Sequence, residues 1–501
     1  GGGKGMRIVH QADDFLSALE SCQREALNAF GKDRVLLERY IEKPRHIEFQ
    51  IFADQSGQTI HLGERECSAQ RRFQKVIEES PSPFLTESLR QHMASAAIQA
   101  AKAVNYLNAG TVEFIVSQNG EFFFMEINSR LQVEHPVTEM VTGLDLVRWQ
   151  IEIAAGLPLP KQQHDIQSHG HAIEVRLYAE DSSKNFMPCS GLIRKLYLPE
   201  TSASVRLDSG VREGNQISVY YDPMLAKLIV HSDSRLTALT AMQNALAHCQ
   251  VFGLETNIAF LEHLLAHPKV QQGEIDTGYL DKHLHEVLPA RHEEFVGHRL
   301  AAAYFSLKAA IAALPVLDAQ SPWSKVDFWR THGTGKYRVN LKLDETFDAH
   351  LIQLADGQLS LEHNQQRANA SALDEADGYV CFDLHGQHLR FNAFHFQDEL
   401  VVHDGKHRSH WRILNAGAGA LETQAKQDGF IRAPMPGKLV FIRVQAGQNV
   451  IKGDELAVME AMKMELSIKA PCDGVIVENL AMVGNVLDVD VPILSWEPLN
   501  E

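Results

Sequence analysis

Residues 111–136 read TVEFIVSQNGEFFFMEINSRLQVEHP, and this stretch predicts the centre of the fold. Two largely apolar runs, residues 111–116 and 121–127, lie on either side of Asn119 and Gly120. Asn-Gly between two such runs is the strongest short-range signal of a β-hairpin. With Asn119 and Gly120 as the two loop residues, Glu113 is expected to lie directly opposite Glu126.

This pair of glutamates suggests a metal site. Carboxylates that face each other destabilise a sheet, and Asn128 lies two residues beyond Glu126, on the same face of the strand. Carboxylate and amide oxygens are ligands that Mg²⁺ and Mn²⁺ prefer. We therefore expect Glu113, Glu126 and Asn128 to hold a divalent cation, and without it one carboxylate to be protonated at a raised pKa. A proton shared by the pair and a slipped register are the alternatives.

The residues after the hairpin alternate in polarity. Polar residues occupy positions 128, 130, 132 and 134, and apolar residues stand between the last three. In an extended chain the polar side chains share one face. Such a face could bind a small anion through Arg130 and remove its proton with Glu134. A solvated strand edge would show the same alternation.

Upstream of the hairpin the chain alternates helical and extended patterns. Periodicity predicts helices over residues 13–30 and 89–104 and strands over 35–37 and 47–52. The glycine-rich start, residues 1–5, could surround phosphates with backbone N–H groups. Because it resembles the middle of a loop, we expect that a preceding part of the protein is absent from the sequence.

Composition limits the class of protein. The chain has 501 residues, enough for about three domains. Its net charge of −17 argues against a nucleic-acid partner, and no apolar stretch approaches the length of a membrane span. Six scattered cysteines without metal-ligand spacing indicate reduced thiols.

The last segment contains an internal repeat. Residues 433–437 (APMPG) are echoed by residues 470–474 (APCDG), 37 positions later, and Gly447 and Gly484 keep that spacing. Two such halves predict a β-sandwich with pseudo-two-fold symmetry. Lys463, between two methionines, falls at the join of the halves and is expected at an exposed hairpin tip.

The middle of the chain carries no catalytic pattern. A long helix is predicted over residues 295–314, and short alternating strands over residues 337–414 indicate a small antiparallel sheet or barrel. Residues 415–428 are rich in small and polar residues and are typical of a flexible linker.

Two resemblances follow from these motifs. The repeat with its central Ala461-Met462-Lys463-Met464 resembles the biotinyl carrier domain; a lipoyl domain has the same fold but a different flank. Residues 1 to about 285 resemble biotin carboxylase, an ATP-grasp enzyme. That resemblance rests on GGGKGM at residues 1–6, ERECS at 64–68, the hairpin, NSRLQVEHPVTE at 128–139, HAIEVR at 171–176 and YDPMLAK at 221–227.

The resemblance implies a role for each matching residue. It implies that Glu134 is the base that deprotonates bicarbonate, and that Arg176 stabilises the biotin enolate. Bicarbonate would be bound by Arg130, Gln132 and Val133, and biotin would be attached to Lys463. The residues implied to bind ATP or its phosphates are Lys4, Glu38, Arg39, His46, Gln70 and Lys75.

With both ends combined, the chain resembles the α subunit of a biotin-dependent acyl-CoA carboxylase. The resemblance implies ATP-dependent carboxylation of biotin, a carboxyltransferase β subunit in a large α/β hetero-oligomer, and modification by biotin protein ligase. Residues 321–324 (SPWS) favour the 3-methylcrotonyl-CoA type, which acts in leucine degradation, with propionyl-CoA and geranyl-CoA types as alternatives. A carrier and assembly fragment without catalysis is an alternative of another class.

The expected architecture is multidomain α+β. It comprises an ATP-grasp part over residues 1–160, a biotin carboxylase C-terminal domain over 161–290, a subunit-docking β-barrel with a long helix over 291–420, and a biotinyl sandwich over 430–499. Phe73 departs from the family, in which many members have His, and the family's N-terminal domain is not found in this sequence. The location is expected to be cytoplasmic in a bacterium and the mitochondrial matrix in a eukaryote.

Overall fold

The computed structural model describes most of the chain. The described residues are 6–72, 74–218, 220–288, 296–312, 336–342, 346–353, 359–363, 366–376, 378–384, 386–414, 429–434, 436–461, 464–488 and 490–498. Lys4 with the glycine-rich start, Phe73, residues 321–324, the predicted linker and Lys463 lie outside these ranges.

The described part of the chain contains nine α-helices. In chain order they are α1 (Phe15–Phe30), α2 (Glu87–Ala103), α3 (His135–Thr142), α4 (Leu146–Ala154), α5 (Arg235–Leu246), α6 (Ile258–Ala266), α7 (Pro268–Gln271), α8 (Tyr279–Val287) and α9 (Val296–Ala312). The predicted helices over 13–30, 89–104 and 295–314 are confirmed as α1, α2 and α9 to within two residues at each end.

Fourteen strands form the first region. They are β1 (Arg45–Ala53), β2 (Thr59–Arg71), β3 (Gln74–Ser80), β4 (Asn108–Val116), β5 (Phe122–Asn128), β6 (His171–Tyr178), β7 (Glu180–Asp181), β8 (Met187–Pro188), β9 (Gly191–Leu192), β10 (Lys195–Tyr197), β11 (Val205–Ser209), β12 (Gln216–Ile217), β13 (Met224–Ser232) and β14 (Gln250–Phe252). The prediction of a strand over 47–52 is confirmed by β1, whereas the prediction over 35–37 is wrong: that segment has no regular structure.

An eight-stranded antiparallel sheet organises this region, in the order β11-β13-β6-β3-β2-β1-β4-β5. It contains strands from both sides of residue 160, so the two units predicted on either side of that residue share one sheet. Apolar side chains of β1 and β4 pack under α2, and those of β6 and β13 pack under α5 and α6. The other face of the sheet carries α3 and α4 and a set of buried charged residues.

The predicted hairpin is present, but its turn is longer than expected. Ser117 N–H donates to the Glu121 carbonyl at 2.8 Å, and Val116 pairs with Phe122, so three residues rather than two close the loop. A β-bulge at Met125 then restores the expected register, and Glu113 does pair with Glu126. The prediction that Glu113 faces Glu126 is therefore confirmed. It holds because the longer turn and the bulge each shift the register by one residue, in opposite directions.

The middle region is a closed eight-stranded barrel around α9. Its strands are β15 (Lys336–Lys342), β16 (Thr346–Gln353), β17 (Leu359–His363), β18 (Gln366–Ala376), β19 (Tyr379–Leu384), β20 (Gln387–Phe396), β21 (Glu399–His403) and β22 (Arg408–Ile413). Leu300 and Tyr304 of α9 share one core with Phe382 and Phe391 of the barrel. A side chain at Gly297 would lie 2.7 Å from the Phe391 ring, which explains the glycine there. The predicted barrel with a long helix is confirmed.

The C-terminal region is a sandwich with its own apolar core. Its strands are β23 (Phe430–Arg432), β24 (Gly437–Ile442), β25 (Asn449–Val450), β26 (Glu455–Ala461), β27 (Met464–Lys469), β28 (Gly474–Asn479), β29 (Val486–Leu487) and β30 (Pro492–Pro498). They form two four-stranded sheets, β23-β30-β28-β25 and β27-β26-β24-β29, which confirms the predicted sandwich. Ala461 at the end of β26 pairs with Met464 at the start of β27, on either side of Lys463.

None of the helices in the described part of the chain combines the length and the apolar character needed to cross a membrane.

Candidate active site

The candidate site is a charged patch in the interior of the main sheet. On β1 the side chains of His46, Glu48 and Gln50 alternate with the apolar residues that pack under α2. Alternating polar and apolar residues are typical of a half-buried strand, yet all nine residues of β1 are buried. Because α3, α4 and the segment before α3 cover the polar face, these charged groups are largely removed from water and must neutralise one another.

Glu134 and Lys75 form the centre of the patch. The Lys75 ammonium Nζ contacts the Glu134 carboxylate and lies 2.7 Å from Glu48 Oε2, 3.2 Å from Gln132 Oε1 and 3.4 Å from Glu113 Oε1. Burial lowers the pKa of Lys75, but the charges of the surrounding acidic groups raise it well above the ordinary lysine value. Lys75 is therefore a permanent cation at neutral pH.

Arg176 of β6 holds the other side of Glu134. Its Nη2 lies 3.1 Å from Glu134 Oε2, and its Nε donates to Glu78 Oε1 at 2.6 Å. Burial and the nearby Glu48 raise the pKa of Glu134, but Lys75 and Arg176 outweigh them and bring it below the ordinary value. Glu134 is thus an ionised carboxylate held between two cations.

Glu113 points into this patch rather than standing alone on the hairpin. Gln132 Nε2 donates to its Oε1 at 2.7 Å, and His46 Nε2 lies 3.2 Å from its Oε2. Burial raises the pKa of Glu113, but His46 and Lys75 with these hydrogen bonds lower it well below the ordinary range. The expectation of a metal-free carboxyl with a raised pKa is therefore wrong for Glu113, because its contacts with His46, Lys75 and Gln132 stabilise the charged form.

Glu126 and Asn128 lie on the same hairpin face as Glu113, toward solvent. Asn128 pairs with Thr111 and Glu126 with Glu113 in the β4–β5 register, and Asn128 Nδ2 lies 3.3 Å from Glu126 Oε1. Glu126 is exposed, whereas Glu113 is buried. These three side chains offer the carboxylate and amide oxygens that hard divalent cations prefer.

Arg130 does not meet Glu134 in this structure. It is exposed, and its Nη1 donates to the neighbouring Leu131 carbonyl at 3.4 Å. The expected extended segment over 128–134 is wrong, because the chain turns at Val133 and Glu134 to begin α3, with Pro136 in its first turn. The turn directs Gln132 and Glu134 inward and leaves Arg130 outside.

The residues implied to bind ATP separate into two groups. His46, Gln70 and Lys75 are brought together on the sheet, where Gln70 and Lys75 are cross-strand partners in β2 and β3. Glu38 and Arg39 are exposed on the irregular segment before β1, where the Arg39 guanidinium lies 5.7 Å from the centre of the Phe123 ring. Val133 offers its carbonyl to Lys227 Nζ at 2.5 Å.

Sequence reasoning assigned no role to several buried charged residues of the patch. Arg65 is fully buried and donates to Glu48 Oε1 at 2.5 Å and to Gln50 Oε1 at 2.8 Å. Glu78 contacts Arg176, and Lys227 contacts the Val133 carbonyl, as described above. Glu48 and Arg65 are cross-strand partners, so a correct pairing of β1 with β2 would have identified them.

Three family comparisons match this arrangement. Residues 1–162 match the ATP-binding domain of the carbamoyl-phosphate synthase L chain, residues 174–282 the biotin carboxylase C-terminal domain, and residues 430–495 the domain of biotin-requiring enzymes. Together with the sheet and its charged patch, they define the class: a biotin carboxylase of the ATP-grasp type joined to a biotinyl domain.

Solved structures agree with this class. The biotin carboxylase domain of Hydrogenobacter thermophilus 2-oxoglutarate carboxylase, in complex with MgADP, ADP and bicarbonate, is similar with a TM-score of 0.56 and 43% identity, covering 58% of this chain and 64% of that one. The Campylobacter jejuni biotin carboxylase is similar with a TM-score of 0.54 and 44% identity, covering 56% and 63%. The chain thus spans a little under two thirds of these structures.

Curated relatives narrow the class to a family. Methylcrotonoyl-CoA carboxylase subunit alpha of Dictyostelium discoideum is 39% identical over 95% of this chain and 70% of its own length, and that of Oryza sativa is 40% identical over 95% and 69%. The propionyl-CoA carboxylase alpha chain of Ruegeria pomeroyi is 38% identical over 99% and 76%. The chain belongs to the family of α subunits of biotin-dependent acyl-CoA carboxylases, which are ligases that pair with a β subunit.

Proposed function

We propose that this chain carboxylates biotin at the expense of ATP and bicarbonate and then carries the carboxyl group on biotin attached to Lys463. The observation that supports it best is Glu134, an ionised and buried carboxylate clamped between Lys75 and Arg176. Bicarbonate must lose a proton before it attacks the terminal phosphate of ATP, and a positioned carboxylate provides that base. The division into units over 1–160, 161–290, 291–420 and 430–499 belongs to this proposal.

The other residues take supporting roles in this proposal. Arg130, Gln132 and Val133 bind bicarbonate beside Glu134, and Arg176 stabilises negative charge on the enolate of biotin. Because Arg130 is exposed, its part requires a change of side-chain direction when the anion arrives. Arginine suits that task because its planar fork matches a carboxylate-like anion.

The nucleotide and its cation bind along the same face of the sheet. Glu113, Glu126 and Asn128 would hold Mg²⁺ or Mn²⁺, which neutralises charge on the nucleotide phosphates when bound. Lys4, Glu38, Arg39, His46, Gln70 and Lys75 would contact ATP. His46 and Lys75 already contact Glu113, so the cation and the phosphates must rearrange these contacts together.

The acyl substrate is proposed from the relatives. Methylcrotonoyl-CoA carboxylases supply several of the matches, so 3-methylcrotonyl-CoA and leucine degradation are the first choice, and the propionyl-CoA relatives supply the second. The working enzyme would be an α/β hetero-oligomer with a carboxyltransferase β subunit, biotinylated by biotin protein ligase. Several relatives are mitochondrial proteins, so the mitochondrial matrix is proposed for a eukaryotic source and the cytoplasm for a bacterial one.

The proposal is tested by ATP hydrolysis in the full chain, with free biotin as acceptor and bicarbonate present or absent. Hydrolysis should depend on bicarbonate, and Glu134→Gln should lower kcat by at least about 10²-fold while ATP binds as before, as is typical when a general base is removed. Glu121→Gln, in the exposed hairpin turn, is the matched control and should behave like the wild type.

Two outcomes would contradict the proposal. Glu134→Gln with near-normal bicarbonate-dependent turnover would exclude its role as base. Absence of bicarbonate-dependent hydrolysis in the wild type would favour the carrier and assembly fragment instead. Reconstitution with carboxyltransferase β subunits and each acyl-CoA in turn would identify the acyl substrate, with Lys463→Arg as the control that cannot accept biotin.

A further inference from the structure

A second pair of facing glutamates lies deeper in the sheet than the hairpin pair. Glu78 on β3 and Glu174 on β6 are directly opposite each other in the antiparallel register, and both are fully buried. Cross-strand partners project to the same side of a sheet, with Cβ atoms about 4.5–5.5 Å apart. Two carboxyl groups are therefore confined side by side in the interior.

Their four oxygen atoms are unequally satisfied. Glu78 Oε1 accepts from Arg176 Nε at 2.6 Å. Within the described residues, Glu78 Oε2 and both oxygens of Glu174 are buried and have no hydrogen-bond donor. An ionised carboxylate without a donor is very costly to bury, whereas a neutral carboxyl group costs far less.

Charged groups face Glu174 from four elements. They are Glu78 on β3, Arg176 on its own strand, Lys227 on β13, and Glu134 at the start of α3. Burial and the charge of Glu78 raise the pKa of Glu174 well above the ordinary value, and Lys227 and Arg176 lower it by less. The two cations are engaged elsewhere, since Lys227 Nζ donates to the Val133 carbonyl at 2.5 Å and Arg176 binds Glu78 and Glu134.

We propose that Glu174 carries a proton in the working enzyme and acts as a positioning residue. Its carboxyl group is then neutral, so within the Glu78–Glu174 pair only Glu78 is an anion, and Glu78 holds Arg176 against Glu134. This inference rests on the proposed function, which makes Glu134 the base and Arg176 the partner of biotin. If Glu174 were ionised, Arg176 would face two adjacent anions on β3 and β6 and would be drawn away from Glu134.

The protonation is tested by infrared difference spectroscopy on the full chain. At about pH 8 carboxyl groups of ordinary pKa are ionised, so a carboxylic acid C=O band reports a group with a raised pKa. Glu174→Gln should remove part of that band. Glu79→Gln is the matched control, because Glu79 is a buried neighbour on β3 that contacts His171 and Arg235 instead, and it should leave the band unchanged.

The positioning role is tested by the kinetics of free-biotin carboxylation. Glu174→Gln preserves a neutral group and should lower kcat by less than about threefold, whereas Glu78→Gln removes the anion that holds Arg176 and should lower it by more than about tenfold, the usual effect of losing a charged hydrogen bond. At high pH, where ionisation of Glu174 should lower the activity of the wild type, the Glu174→Gln variant should stay active, because its amide group cannot ionise. Glu174→Met, also neutral, replaces Glu174→Gln if the latter does not fold.

Two results would overturn the inference. One is an infrared band whose intensity is unchanged in Glu174→Gln, and the other is a loss of kcat in Glu174→Gln as large as that in Glu78→Gln. Because the infrared measurement needs no turnover, it still reports on Glu174 if the wild type shows no bicarbonate-dependent hydrolysis and the proposed function itself fails.

Discussion

The role of each charged residue in this site depends on the opposite charges that its side chain contacts. Glu134 meets Lys75 and Arg176, while Arg130, four positions earlier, meets only the backbone of Leu131 among the contacts of the described residues. A buried ion pair contributes to stability mainly in the sense that its disruption is costly. An exposed arginine with one weak contact contributes little to folding, so its purpose is expected to lie in binding.

Arg130→Ala should therefore separate stability from anion binding. The thermal unfolding midpoint should change no more than that of an ordinary surface variant, a free-energy change within about 0.5 kcal/mol. The KM for bicarbonate should rise by at least about tenfold, the effect of losing a charged hydrogen bond. The control is Arg148→Ala, an exposed arginine on α4 that pairs with Glu152. An unchanged KM would exclude Arg130 from the bicarbonate site.

At the scale of whole elements, the register between paired strands decides which side chains share a face, and the β4–β5 hairpin is the clearest case. The three-residue turn shifts β5 by one position relative to β4, and the bulge at Met125 shifts it back before Glu126. Side chains along a strand alternate between faces, so a slip of one residue moves every later side chain to the other face. The predicted metal ligands therefore depend on one apolar residue that contributes no oxygen.

Deletion of Met125 should disrupt the cation site without removing a ligand. Glu126 and Asn128 would shift to the opposite face of β5, away from Glu113. We expect the Mg²⁺-dependent part of ADP binding, measured by titration calorimetry with and without the cation, to be lost. Met125→Ala keeps the bulge backbone and should bind as the wild type does. A deletion variant that still binds ADP more tightly with Mg²⁺ would contradict this assignment.

At the scale of the whole molecule, buried polar contacts join the carboxylase region to the barrel. Arg408 on β22 donates to both carboxylate oxygens of Glu262 on α6, at 2.8 and 3.3 Å, and its Nη1 donates to the Cys249 carbonyl at 2.7 Å. His403 Nε2 on β21 lies 3.1 Å from the same Glu262. These contacts connect the barrel directly to the helices that support the main sheet.

Arg408→Met should weaken this connection strongly. It leaves Glu262 buried without its main counter-charge, which costs about 3–5 kcal/mol, and hydrogen exchange should accelerate in α6 and β21. The matched control is Arg412→Met on the same strand, where the ion pair with Asp398 is largely exposed and contributes about 0–1 kcal/mol. Equal exchange in the two variants would show that the Glu262 contact does not join the regions.

The same contact has a defined pH dependence. Burial raises the pKa of Glu262, but Arg408 and His403 outweigh it and bring the pKa below the ordinary glutamate value. A carboxyl with a depressed pKa in the folded state stabilises fully above its unfolded pKa, and that stability is lost as pH falls through the folded value. Exchange in α6 should therefore accelerate below about pH 4 in the wild type, with a smaller pH effect in Arg408→Met.

The local sequence pattern by itself determined much of the secondary structure and pairing in this protein. The repeat at 37 residues around Lys463 predicted the sandwich, and the hairpin signal at Asn119-Gly120 predicted that Glu113 faces Glu126. Both inferences hold because strand alternation and tight turns are set by residues close together in the chain. The hairpin prediction still missed the compensating turn and bulge, since a one-residue irregularity leaves little trace in the pattern of polarity.

Only the tertiary structure decided which cations Glu134 meets. The sequence pattern paired it with Arg130, which is near in the chain, but a turn before α3 separates them and the sheet order supplies Lys75 from β3 and Arg176 from β6. The same order places Glu78 opposite Glu174 and buries all of β1, although its alternating polarity is typical of a half-exposed strand. Strand order depends on how apolar faces pack against α2, α5 and α6, and residues far apart in sequence set that packing together.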